Sequence, residues 1–119
     1  MGYKMGIFSK EETLFEKNDI RIGEFDPTNS TGTCYFNILK YPFDVKKNRV
    51  IRVKVVSELP IDVAVATQDG GGLLGEVGGV TEATLGPFET KNYSDMCLFL
   101  GITPGNKSNV SVKVWSDSK

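Results

Sequence analysis

Asn48-Arg-Val-Ile-Arg-Val-Lys-Val-Val-Ser57, then Glu58-Leu-Pro60, then Ile61-Asp-Val-Ala-Val-Ala-Thr-Gln68 run through the middle of the chain and set its architecture. Ile51, Val53 and Val55 fall on one face and Arg52 and Lys54 on the other, and Ile61, Val63 and Val65 resume the alternation after Pro60. β-Branched residues at period two suit a pleated, half-buried surface, whereas a helix would scatter them round its circumference. Proline donates no ladder hydrogen bond, so the runs read as two strands joined by a short corner at Pro60.

Upstream of this block, residues 1–11 read as a peripheral arm. Leu14 and Phe15 mark a short strand, Asn18-Asp19 a turn, and Ile20 and Ile22 a second strand. Asp26 to Gly32 has the Pro, Asn, Ser and Gly content of a loop. From Thr33 to Lys40, Cys34, Phe36 and Ile38 share one face of a half-buried strand, and the Tyr41–Lys47 segment reads as a connection. Downstream, Asp69 to Gly79 holds six glycines and reads as a loop; Val80 to Leu85 is extended until Gly86-Pro87 interrupts it. Met96, Leu98 and Leu100 oppose Cys97 and Phe99, so this strand is apolar on both faces and belongs inside a two-layer structure. The Thr103–Asn109 segment reads as a hairpin connection to a last strand carrying Val110, Val112 and Val114. The expectation is a single all-β domain over residues 12–119. It is an antiparallel β-sandwich, jelly-roll-like, of about eight strands. Its expected core is Phe36, Ile38, Ile51, Val53, Val55, Ile61, Val63, Val65, Leu98, Leu100, Val112 and Val114.

The chain has 119 residues, enough for one domain with its own core. Its net charge of −1 gives no electrostatic case for nucleic acid, and no apolar run approaches the length of a membrane span. Met1 to Lys10 lacks the apolar segment of an export signal, so a cytoplasmic location is expected. Cys34 and Cys97 both fall in expected strands and read as small buried hydrophobes. With no histidine, two cysteines are too few for a structural zinc site.

Catalysis lacks its usual parts. Histidine is absent, and Asp95 beside Cys97 would raise the thiol pKa rather than activate it. The reading is therefore not an enzyme, and no cofactor is expected. Gly70, Gly72 and Gly75 match G-x-G-x-x-G literally, but Gly78, Gly79 and Pro87 interrupt the helix that a dinucleotide site requires. Glycine-rich connections are flexible, yet Leu73, Leu74 and Val77 are apolar where a plain linker would carry Ser or Thr. Gly70, Gly71, Gly72, Leu73, Leu74, Gly75 and Val77 are thus the candidate contact loop for a protein partner.

A small ligand, carbohydrate or calcium, is the second reading. Asp26, Asp69, Glu76 and Asp95 supply loop carboxylates, although without the spacing of a calcium loop. Trp115, on the opposite face from Val112 and Val114, is a candidate for an aromatic platform with Tyr35 and Tyr93. Lys46, Lys47, Arg49, Arg52 and Lys54 form a basic cluster that reads as a solvated sheet face.

Several of these features together resemble the small jelly-roll sandwiches of the GOLD-like and bacterial prepeptidase C-terminal classes. They are the β-branched strand from Arg49, the corner Ser57-Glu-Leu-Pro60, the run Ile61-Asp-Val-Ala-Val65 and the ending Val110-Ser-Val-Lys-Val114. Asp95-Met-Cys97 departs from the glycine-tyrosine pair of those classes. The resemblance implies an accessory or protein-interaction role without a catalytic centre, and it carries no functional residue across.

Overall fold

The structure, a computed structural model, describes residues 11–24, 37–67 and 72–119. Six strands form one antiparallel sheet: β1 (Glu12–Ile22), β2 (Ile38–Asp44), β3 (Arg49–Thr67), β4 (Leu73–Glu89), β5 (Asp95–Gly101) and β6 (Ser108–Ser118). The sheet is curled through half a barrel. None of the described residues forms a helix long and apolar enough to cross a membrane.

The long β3 is the spine. One edge pairs with β4 along its length; the other pairs first with β6, from Arg49 to Ser57, and then with β5, from Asp62 to Thr67. β1 adds to β6 and β2 adds to β5. The sheet therefore has a proximal half (β1, β6, residues 49–57 of β3, residues 82–89 of β4) and a distal half (β2, β5, residues 61–67 of β3, residues 73–80 of β4). Both halves turn their apolar rows inward. Ile51, Val53, Val55, Val110, Val112 and Val114 from the proximal half join Ile61, Val63, Val65, Met96, Leu98 and Leu100 from the distal half in one buried cluster.

Where strands were expected to stop, they bend instead. Pro60 lies inside β3, where pairing with β6 has ended at Ser57 and pairing with β5 has not begun; the β4 register also jumps between Val56 and Ile61. Proline costs no ladder bond there, so the chain turns from one half to the other without leaving the sheet. A ring of hydrogen bonds around a buried serine pair holds the bend. The Ser57 hydroxyl donates to Leu59 O (2.7 Å), the Leu59 N–H donates to Ser108 Oγ (3.0 Å), and the two serine oxygens lie 2.7 Å apart.

The same physics merges other elements and accounts for six strands where about eight are expected. Asn18-Asp19 is an irregularity within β1, with Asp19 at φ 61°, rather than a turn. Leu73 to Gly79, expected as loop, opens β4, and β4 continues through Gly86-Pro87 to Glu89. Gly86 adopts φ 106° with Ile51 O 2.6 Å from where a Cβ would stand, so only glycine fits this crossing. Tyr41 to Asp44, expected as connection, belongs to β2, where Pro42 is tolerated in a strand that pairs only with β5. Thr103 to Asn109 is an arch rather than a hairpin, because β5 and β6 pair with successive parts of β3 and not with each other.

Most of the expected core is buried, from Ile51 through Val114. Ile38 is the correction: it is 74% exposed, and its neighbours Leu39, Tyr41 and Phe43 turn inward instead. Opposite Gly101, Ile38 lies in the outward phase of β2, and a single-residue change of phase exchanges the faces. Phe36, Cys34 and residues 1–10 lie outside the described residues.

Candidate functional site

The outer faces of the two halves differ in chemistry. Across the distal half, Ile38 is opposite Gly101 and Gly101 opposite Asp62; Lys40, Phe99, Ala64 and Glu76 form the next row; Pro42, Cys97, Ala66 and Leu73 form a third. Eight of these eleven positions are apolar or glycine, and all of the eight but the buried Cys97 are at least partly exposed. Ile38 and Leu73, at 74% and 58% exposed, stand at opposite corners.

A groove of about 640 Å³ opens among these rows. Small residues make its floor, because Gly78, Gly101 and Ala64 let the surface reach the backbone; Ile38 and Phe99 are its apolar walls on the outer face, and Val77 borders it from the core side. Asp62 and Glu76 bring carboxylates to the rim. Asp62 Oδ1 accepts the Gly79 N–H at 3.0 Å, which pins the left-handed Gly79 (φ 65°) to β3. The Lys40 ammonium lies 6.0 Å from the Phe99 ring centroid. Beside Ile38, the Asn37 Nδ2 is buried without a hydrogen-bond partner among the described residues.

The candidate contact residues divide. Gly70 and Gly71 lie outside the described residues. Leu73 is exposed on the outer face; Val77, opposite the buried Val63, borders the groove but packs against the core. Leu74 is half-buried against the core, and Gly75 lies beneath the Phe88 ring, so these two serve packing. Trp115 faces outward on the proximal half, opposite Arg52, while Tyr93 packs on the core; the structure does not bring them together. Tyr35 lies outside the described residues. Ile38, Ala64, Phe99 and Gly101 were missed as site residues; the signal for Phe99 was a strand apolar on both faces.

Other expected constellations disperse. Lys46 pairs with Glu12 at 3.2 Å, and Arg49 Nε donates to Ser116 Oγ at 3.0 Å, leaving Arg52 and Lys54 on the proximal outer face. Glu76 is on β4 and Asp95 begins β5, and no cluster of three or more metal-ligating side chains occurs among the described residues. Asp26 and Asp69 lie outside them. Cys97 is 1% exposed, and burial pushes its thiol pKa up despite the opposing Lys40 charge and a backbone hydrogen bond from Tyr41. The expected direction holds; its cause is desolvation rather than Asp95.

Where β1 and β2 approach, side chains rather than backbone bridge the half-barrel. Phe15 and Tyr41 stack with ring centroids 5.4 Å apart, and Lys17 Nζ lies 5.5 Å from the Tyr41 ring. No protein-family model matches this chain, and no curated protein sequence matches it significantly.

Proposed function

We propose that this chain is a non-enzymatic binding module that docks a protein partner on the outer face of its distal half. The observation that carries the reading is the groove floored by Gly78, Gly101 and Ala64 beside the exposed Ile38, on the same outer face as the exposed Leu73. A contiguous apolar surface rimmed by charge is what partners bury, and Asp62, Glu76 and Lys40 supply such a rim. The accessory role agrees with what the resemblance to small jelly-roll sandwiches implies, the two halves of the curled sheet being the counterparts of its layers in this reading.

Ala64→Arg tests this. It fills the groove from a surface position and leaves the buried rows intact. Affinity capture by the wild-type chain should yield a stoichiometric partner that Ala64→Arg loses at unchanged melting temperature. Retention of the partner by a folded Ala64→Arg chain would overturn the reading.

A carbohydrate is the second reading, favoured by the carboxylates of Asp62 and Glu76 lining one groove with the Phe99 ring. A glycan that raises the melting temperature of the wild type but not of Ala64→Arg would establish it instead, since a ligand preferring the native state must stabilise it.

A further inference from the structure

Two rows of side chains cross the outer face of the proximal half. In the first, Thr13 is opposite Trp115 and Trp115 opposite Arg52. In the second, Lys113 is opposite Lys54 and Lys54 opposite Thr84. Strands rise about 3.3 Å per residue, so the rows stand about 7 Å apart. Three cations thus gather around the single tryptophan of the chain. Lys113 Nζ lies 5.6 Å from its ring centroid.

Like charges directly opposite across a sheet destabilise it. Glu16 stands in the second row itself, directly opposite Lys113, and Glu82 and Asp117, opposite Val56 and Val50, border the rows. Among the described residues, none of these carboxylates forms an ion pair with Arg52, Lys54 or Lys113. The Lys54–Lys113 pair therefore has no ion-paired carboxylate among the described residues, and a bound anion adds to the partial relief that Glu16 gives Lys113 from across the strand. The whole-chain balance of −1 hides this patch from composition.

We propose that this face binds single-stranded nucleic acid, with a base stacked on Trp115 and phosphates at Arg52, Lys54 and Lys113. Stacking on an aromatic ring tolerates any base, and flanking cations follow the backbone, which is how sequence-independent single-strand sites are built. The Lys113 ammonium now over the ring moves to a phosphate as the base takes its place. The exposed Thr13 and Thr84 hydroxyls are further donors at the two ends of the rows. Three phosphate contacts give a slope of about −2 for log affinity against log salt.

The single tryptophan reports on its own site. Octathymidylate titrated into the full chain should quench Trp115 fluorescence saturably, with affinity falling roughly 20-fold between 50 and 200 mM salt. Lys54→Ala with Lys113→Ala should abolish quenching while leaving the melting temperature equal to or above that of the wild type, because the repulsion is removed. Thymidine monophosphate should bind at least tenfold more weakly, having one phosphate. The proposal is overturned by absence of quenching at 50 mM salt, or by quenching that survives in the folded double variant. Binding of heparin or phosphatidylserine vesicles without binding of the oligonucleotide also overturns it.

Discussion

The ring of Phe88 packs onto Gly75 although both belong to β4: a Cβ at Gly75 would stand 2.7 Å from Phe88 Cζ. One strand thus touches itself, and that contact measures how far the sheet is curled. It also explains a glycine in the middle of a strand, where the usual cost of its backbone freedom is offset by the space it leaves.

The contact predicts a double-mutant cycle. Gly75→Ala should cost about 1–3 kcal/mol through overpacking, and Phe88→Ala roughly 2–4 kcal/mol through lost burial. With both changes together, Gly75→Ala should cost close to nothing, because the atom it displaces is gone. Urea unfolding checks this; strict additivity would place the two residues apart.

The bend of β3 should depend on its serine ring. Ser108 and Ser57 are buried, at 6% and 7% exposed. Ser108→Ala removes the acceptor of the Leu59 N–H and the partner of Ser57, at an expected cost of about 1–3 kcal/mol. Thr90→Val should cost a similar amount. The Thr90 hydroxyl accepts the Arg49 N–H at 3.0 Å and donates to Lys46 O at 2.7 Å, which ties the turn before β3 to the end of β4. Stability unchanged by either substitution would remove the buried bonds from the account.

Alkaline pH should weaken the fold. Burial raises Tyr41 above its ordinary 10.0 and Cys97 above its ordinary 9.0. Both groups are neutral when protonated, so the folded state holds its protons to higher pH than the unfolded chain does. Their contribution is complete below about pH 9 and is lost as pH rises through the folded values. Denaturation midpoints measured from pH 8 to 11 should fall, and Tyr41→Phe with Cys97→Ser should flatten the decline. A rise in stability over that range would contradict the assigned burial.

The central block was legible in the sequence because Ile51, Val53, Val55, Ile61, Val63 and Val65 alternate over enough positions to fix one face, and all six are buried. Where strands ended was not legible. Asn18-Asp19, Pro60, Gly79 and Gly86-Pro87 carry turn chemistry, yet each sits where a register shift or a bend absorbs it. Turn residues report local backbone geometry, and a bulge uses the same geometry as a chain reversal. Ile38 shows a second limit: in the sequence it alternates with Cys34 and Phe36 as convincingly as Leu39 does with Tyr41 and Phe43, and only pairing with β5 shows that Ile38 faces outward while Leu39, Tyr41 and Phe43 face inward. The groove was invisible for a related reason. Its floor of Gly78, Gly101 and Ala64 comes from three strands brought side by side by β3.

Amide hydrogen exchange of the chain, free and bound to the partner it captures, locates the docking surface without any substitution. Added protection should fall on Ile38 to Lys40, Asp62 to Ala66, Glu76 to Gly78 and Phe99 to Gly101, with Arg52 to Lys54 and Lys113 to Trp115 unchanged. Protection confined to the proximal face, or to the β1–β2 seam around Phe15 and Tyr41, would contradict the distal face as the site of docking.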